Sequence, residues 1–206
     1  NALDGLILTY NGLNALRQHV TPDVRIHGII THGGTAPNVV PEYARALFYL
    51  RAATAPTLEA LYQRALDVVA GAAAMTGARG VMQPSQNRVD NMVVTPSFDA
   101  IYARHLAAAG EVLNTEPRAS MGSSDVGNVS QVIPTIQPSI SITDTFVTPH
   151  SQGFCDASIS EKGLASIALG AKLLAKTALD LILEPETLAA IKAEHRDAVA
   201  HQNDGV

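Results

Sequence analysis

Tryptophan is absent from the 206 residues, aromatic side chains make up 4% of them, and there is a single cysteine, Cys155. Large rings therefore cannot dominate the interior, and the many alanines point to helices packed closely through small side chains. A lone thiol cannot form an internal disulfide, so a reducing compartment is expected and Cys155 reads as a small packing residue. Basic residues are few and scattered: 14 Lys and Arg against 19 Asp and Glu give a net charge of −5, with no basic stripe for a nucleic acid. No apolar run reaches membrane-spanning length, and no basic, apolar, small-residue leader opens the chain. These absences predict a cytoplasmic protein without nucleic-acid or membrane partners. What is present is 47% hydrophobic content, enough for one large domain or two small ones.

Taken in order, Leu6, Leu13 and Leu16 mark a helix up to Val20, with Asn1 or Asp4 as cap and Thr21-Pro22-Asp23 as its stop. Val24 to Thr31 alternates as a strand, Val24, Ile26 and Gly28 on one face and Arg25, His27 and Ile29 on the other. After the turn His32 to Asn38, Val39 to Arg51 reads as a second strand, and the two predict an antiparallel pair. Pro56 opens a helix with Leu58, Leu61, Ala65, Val68 and Val69 on one face, ending near Gly77. Met92 to Val94 is a short strand or a link. The order helix, strand, strand, helix, strand is that of a ferredoxin-like unit lacking its first strand. A domain boundary is placed near Thr95-Pro96. Beyond it, Ser97 caps a helix through Ala109, and the loop Asn114 to Arg118 follows. Ser158 to Leu183 reads as one long helix with an apolar stripe of Leu164, Ile167, Ala168, Ala171, Leu174, Ala175 and Leu181, which predicts core. A last helix runs from Thr187 to about Ala200, ahead of a polar tail.

The richest stretch is Met121 to Phe154, M-G-S-S-D-V-G-N-V-S-Q-V-I-P-T-I-Q-P-S-I-S-I-T-D-T-F-V-T-P-H-S-Q-G-F. Asp125 sits in a Gly/Ser-rich turn, the apolar run Val132 to Ile142 reads as a strand, and His150 closes a second polar turn. A carboxylate and an imidazole carried to one edge of a sheet suit a metal site or an acid/base pair. The same residues also suit plainer roles, a local backbone acceptor and a surface histidine.

Three ordered runs carry a family resemblance: I-H-G-I-I-T-H-G-G-T-A-P-N-V-V-P-E-Y-A-R-A-L-F-Y-L-R-A (26–52), M-G-S-S-D-V-G-N-V-S-Q-V-I-P-T-I-Q-P (121–138) and A-K-T-A-L-D-L-I-L-E-P-E-T-L (175–188). Together they resemble the aminoacylase/carboxypeptidase superfamily of dinuclear zinc amidohydrolases and peptidases, in the branch that holds aminobenzoyl-glutamate hydrolase and related dipeptidases. The resemblance implies an α/β protein in two parts. Residues 1–95 would be a ferredoxin-like lid and dimerisation domain lacking its first strand, and residues 96–206 the C-terminal part of the catalytic domain. The earlier metal ligands and the Glu general base of the family have no counterpart here.

The resemblance also assigns roles. His150, in T-P-H-S-Q-G-F, falls on the last metal ligand, a good zinc donor as a neutral imidazole. Asn38 and Arg51 fall on lid positions that bind the carbonyl or carboxylate of the substrate, often reaching the partner subunit's site, and the Arg fork suits a carboxylate. Asp125 falls on an acidic turn position that supports the metal ligands or fixes the loop. Gln131 and Gln137 stand where relatives often have histidine. His32 reads as a surface residue and His27 as a satisfied strand residue. The implied function is the C-terminal half of a zinc-dependent amidohydrolase or metallopeptidase. It would act on N-acyl amino acids or dipeptide-like amides, as a homodimer, with two divalent metals in the complete enzyme. With one ligand and no catalytic residue of its own, this chain alone is expected to bind zinc weakly and to be inactive. The alternative is a non-catalytic dimerisation or substrate-capture fragment that works beside a separate N-terminal chain.

Overall fold

A computed structural model describes residues 1–114 and 122–202. The Asn114 to Arg118 loop beyond Asn114, Met121 and the last residues of the polar tail lie outside the described residues. The chain divides into two compact units, Asn1–Asn91 and a second that begins at Met92. It is a mixed α/β protein, mostly helical with one small sheet.

In the first unit, helix α1 (Ala2–Leu16) starts where the Asn1 side chain accepts from the Leu3 and Asp4 amides, and it tightens into a 3-10 turn at Arg17–His19. Strands β1 (Arg25–His32) and β2 (Arg45–Arg51) pair antiparallel, with Arg25 opposite Arg51, Gly28 opposite Phe48 and His32 opposite Arg45. Helix α2 (Ala55–Thr76) is capped by Thr54, carries Pro56 in its first turn and stops at Gly77, whose φ of 67° is left-handed. Leu13, Leu16, Val24, Ile26, Leu61 and Ala65 form the core, with Phe48, Leu50 and Val68 packed against it. The alternation read for β1 holds at its start, where Val24 and Ile26 are buried and Arg25 and His27 exposed, but from Gly28 onward every residue of the strand is exposed, Ile29 and Ile30 included. A Cβ on Gly28 would lie 2.4 Å from the Phe48 ring, so this glycine is what lets Phe48 cross the strand pair.

One expectation for this unit is corrected. The second strand begins at Arg45, not Val39, because Pro41 has no amide to give a ladder and its carbonyl instead accepts from the Ala2 amide at 3.0 Å. Met92 to Val94, read as a short strand or a link, is a link at the start of the second unit, and the sheet among the described residues has two strands.

The second unit holds α3 (Pro96–Ala108), α4 (Val126–Ser130), α5 (Gln152–Ser158), α6 (Glu161–Leu183) and α7 (Pro185–His201). Tyr102, Leu106 and Leu173 form its core, with Ile136, Ile140 and Leu169 against them. The run Val132 to Ile142 is irregular rather than a strand. Pro134 and Pro138 remove two ladder donors, and Ile136 and Ile140 are held by side-chain packing against the helical core instead. The long helix read from Ser158 is broken at Ile159 and Ser160: the Ser160 hydroxyl accepts from the Gly163 amide at 3.1 Å and so starts α6 afresh. Gly163 belongs to that break, since a Cβ there would fall 2.4 Å from the Ala157 carbonyl oxygen. Ser97 does not cap α3. Thr95 holds the cap position, and Ser97 lies inside the first turn, where its amide donates to the Glu194 carboxylate at 3.1 Å and its hydroxyl bonds the same oxygen. A carboxylate from α7 thus serves the electropositive end of α3. The stripe expected as core on α6 is largely exposed, because the helix buries a different side through Gly163, Leu173 and Thr177.

Candidate functional site

Asn38 lies on the loop between the strands, beside a shallow open depression of about 530 Å3 that is also lined by Asn1, Leu3, Gly34 and Pro41. Gly34 has a φ of 124°, and a Cβ there would approach Pro41 Cγ to 2.9 Å, so only glycine suits this turn. Val39 closes the next turn by donating to the Ala36 carbonyl at 3.2 Å. Asn38 is exposed and sits at the end of the first unit where α1 begins.

Arg51 is the last residue of β2, opposite Arg25. The two cations do not compete for the same space, because the Arg25 guanidinium is turned onto the Pro22 and Val24 carbonyls at 2.5 and 2.8 Å. The backbone after Arg51 is fixed by Asp23, whose carboxylate accepts from the Ala53 amide at 2.8 Å. Hydrogen bonds from the Thr21 side chain and the Ala53 amide hold the Asp23 carboxyl below its usual range. Arg51 therefore stands on a braced strand end.

Asn38 and Arg51 are not brought together. Asn38 precedes β2 at the His32–Arg45 end of the hairpin, and Arg51 closes the Arg25 end. Six residue steps along β2, from Arg45 to Arg51, separate those ends by about 20 Å. A dipeptide-sized molecule cannot bridge that distance within one chain.

Asp125 occupies the cap position of α4, yet its side chain makes no cap bond. The Ser124 hydroxyl does that work, accepting from the Val126 amide at 3.3 Å and from Gln137 Nε2 at 3.1 Å. Asp125 is exposed, and with no strand in the second unit among its described residues, a sheet edge is not what carries it and His150. His150 is exposed with a φ of 59°, the only non-glycine described in the left-handed region. Immediately after it, the Ser151 hydroxyl accepts from the Phe154 amide at 3.2 Å and donates to the Thr148 carbonyl at 2.6 Å, which starts α5 and fixes the turn. Cys155 is exposed on α5, a two-turn helix with no buried residue, so its reading as a packing side chain is corrected.

Among the described residues no group of three or more His, Cys, Asp or Glu side chains could hold a metal ion. Protein zinc sites take three or four ligands, so the described residues do not by themselves build one. His32 is a surface residue whose ring lies 5.5 Å from that of Tyr43. His27 is exposed opposite Tyr49. Gln131 bonds Gln202 through both side-chain amides.

Two histidines with tertiary partners escaped sequence reasoning. His195 on α7 is buried and bonds the Ser130 carbonyl from Nε2 at 2.6 Å. Ser130 in turn accepts from the Val93 amide at 2.8 Å and donates to Gly127 at 2.6 Å, so His195 locks α4 in place next to Asp125. On the other side of the unit, Arg104 and His105 of α3 both bond one carboxylate oxygen of Asp180 on α6 at 2.6 Å. That pair of bonds, His105 first, holds the Asp180 carboxyl below its ordinary value. These partners stand 65 and 75 residues apart in sequence, and no local pattern joins them.

No protein-family model matches the chain. It is 33% identical over 199 residues, 95% of its length, to the Xaa-Arg dipeptidases of Mus musculus and Homo sapiens, and covers 46% and 45% of those proteins. Over 77 residues, 37% of the chain, it is 38% identical to a subunit of p-aminobenzoyl-glutamate hydrolase from Escherichia coli (strain K12), covering 16% of that protein. The chain thus spans less than half the length of the dipeptidases it matches.

Proposed function

Since the chain belongs to the aminoacylase/carboxypeptidase superfamily and matches its C-terminal part, we propose that it is the C-terminal half of a metal-dependent amidohydrolase that cleaves a dipeptide or N-acyl amino acid. The observation that carries this reading is the 33% identity to Xaa-Arg dipeptidase across 95% of the chain. The first unit is the lid, a ferredoxin-like domain lacking its first strand and forming none at Met92 to Val94, and the second completes the catalytic domain.

Within that reading, Arg51 holds the free carboxylate of the substrate in two parallel hydrogen bonds, and its braced strand end keeps the fork aimed. Asn38 donates its amide to the carbonyl oxygen under attack, where it stabilises developing negative charge. As the two stand about 20 Å apart in one chain, one active site takes Arg51 from one subunit and Asn38 from its partner, and the enzyme is a homodimer through the lid. His150 is one donor to zinc, which polarises the amide when bound. Asp125, whose side chain makes no cap bond in its own turn, serves as a supporting acceptor for the metal ligands. The remaining ligands and the general base come from polypeptide outside this chain, which alone does not hydrolyse.

The test uses the full-length gene product, assayed with an Xaa-Arg dipeptide and with the same dipeptide amidated at its C-terminus. Arg51→Lys should lower kcat/KM for the free carboxylate by about 1.5 to 3 kcal/mol, the range for a hydrogen bond to a charged group, and spare the amidated substrate. Equal loss on both substrates would return Arg51 to a structural role. Mixing inactive Arg51→Ala and Asn38→Ala proteins should restore activity at a fraction of the sites if two subunits share each one, and no restoration would refute the sharing.

A further inference from the structure

The outer face of the hairpin continues from Arg51 as a graded surface. Since Ile26, Phe48 and Leu50 face the core, the alternate pairs of the same register stand on the other face: Arg25 with Arg51, His27 with Tyr49, and Ile29 with Leu47. Successive pairs lie about 7 Å apart along the strands. The face thus runs from two guanidinium-bearing residues, through an imidazole and a phenol ring, to two aliphatic side chains. Tyr49 is 52% exposed and Ile29 61%, and neither belongs to the core. Apolar groups left open in a row beside a polar anchor mark a binding surface.

The proposed role of Arg51 decides what that surface meets. A free carboxylate gripped at Arg51 belongs to the last residue of the substrate, whose side chain branches one carbon away from it. One step along the face, about 7 Å, carries that side chain over His27 and Tyr49, and a long one continues toward Ile29 and Leu47. These six positions hold no carboxylate. Asp23, just before the strand, is engaged with the Ala53 amide at 2.8 Å, so a guanidinium laid on this face would meet Arg25 and Arg51 without an acidic partner among the six. A second carboxylate is served no better, because the Arg25 guanidinium is already engaged with the Pro22 and Val24 carbonyls. The tyrosine ring and the two aliphatic side chains offer contact area that favours an apolar or aromatic group without any pairing.

We infer that Tyr49, with Ile29 and Leu47 beyond it, reads the C-terminal side chain of the substrate and selects a large apolar or aromatic one, such as that of phenylalanine or leucine. The inference rests on the proposed grip of Arg51 on the free carboxylate. It sets this protein apart from the Xaa-Arg dipeptidases it matches, whose name specifies a basic residue at that end.

The experiment uses the full-length gene product and dipeptides that vary only at the C-terminal residue: Ala-Phe, Ala-Leu, Ala-Ala, Ala-Glu and Ala-Arg. For Ala-Phe and Ala-Leu, kcat/KM should exceed that of each of the other three by about tenfold or more, the scale of apolar side-chain discrimination. Tyr49→Ser should lower the Ala-Phe to Ala-Ala ratio about tenfold, mainly through KM, whereas Tyr49→Phe, which keeps the ring, should hold it within about twofold. Ile29→Thr, farther along the face, should lower the same ratio about threefold. Because these positions are exposed, the unfolding midpoint of each variant should stay within about 2 °C of the parent. Calorimetry with N-acetyl-phenylalanine, N-acetyl-arginine and N-acetyl-glutamate reads binding apart from hydrolysis, and the first should bind about tenfold more tightly than the others. Preference for the arginine or glutamate ligand would overturn the inference, as would an Ala-Phe to Ala-Ala ratio that Tyr49→Ser and Ile29→Thr leave intact. Equal loss on every dipeptide would also overturn it, by showing that Tyr49 meets polypeptide and not substrate. Preferred binding of N-acetyl-phenylalanine, weakened by Tyr49→Ser, in a protein that hydrolyses no dipeptide would refute the proposed hydrolysis and leave the reading of the side chain standing.

Discussion

Replacing His150 by glycine separates what this residue does for the fold from what it does for chemistry. At a φ of 59° the imidazole-bearing residue sits where a Cβ crowds the backbone, at a cost of about 1 to 2 kcal/mol for an L-residue. Glycine removes that crowding and brings its own entropic cost of about 0.5 to 1 kcal/mol. The difference leaves His150→Gly between neutral and about 1.5 kcal/mol more stable. The turn does not depend on the side chain, because Ser151 bonds Thr148 and Phe154 and survives the change. Gly77 supplies the mirror control: its φ is 67° with nothing near an added Cβ, so Gly77→Ala should lose about 1 kcal/mol through the same crowding alone. Urea midpoints by circular dichroism on the 206-residue chain measure both, with an unchanged slope showing that compactness is kept. In the full-length gene product the same His150→Gly should abolish hydrolysis. Loss of more than about 1 kcal/mol would show that the imidazole holds the turn, and intact hydrolysis would show that it binds no metal.

Three further outcomes are expected. His195→Ala strips a buried hydrogen bond from the Ser130 carbonyl and leaves a void, and should destabilise by about 2 to 4 kcal/mol in chemical unfolding; His195→Gln, which can still donate, should recover part of that. Asp180 is held below its ordinary value of 3.8 by His105 and Arg104, so the unfolded chain takes up its proton more readily and stability rises with pH. The contribution is present above about pH 5 and is lost as pH falls through the folded value, and Asp180→Asn should flatten that part of the profile. Because the described residues form no metal cluster, a chelator should leave the melting temperature of the 206-residue chain unchanged, and stoichiometric zinc retained through dialysis would refute this.

Local rules were enough for much of the first unit. Asn1 as a cap, the alternation that buries Val24 and Ile26, and Gly77 as a left-handed stop all act over a few residues, so spacing reveals them. Membership of the family was legible for a similar reason, since the runs 26–52, 121–138 and 175–188 that carry the resemblance are contiguous strings. Periodicity also announced that α6 has an apolar stripe, but it could not say which side its own unit would bury, because a helix apolar on two sides offers both. Tertiary structure alone decided that choice. It also decided that Val132 to Ile142 lies along helices and not in a sheet, since a strand exists only where a neighbour accepts its hydrogen bonds. Only the folded chain joins His195 to Ser130 and His105 to Asp180, and only the hairpin register sets Asn38 and Arg51 at opposite ends. Pairings across tens of residues depend on where whole elements pack, and nothing in the spacing of a single segment encodes that.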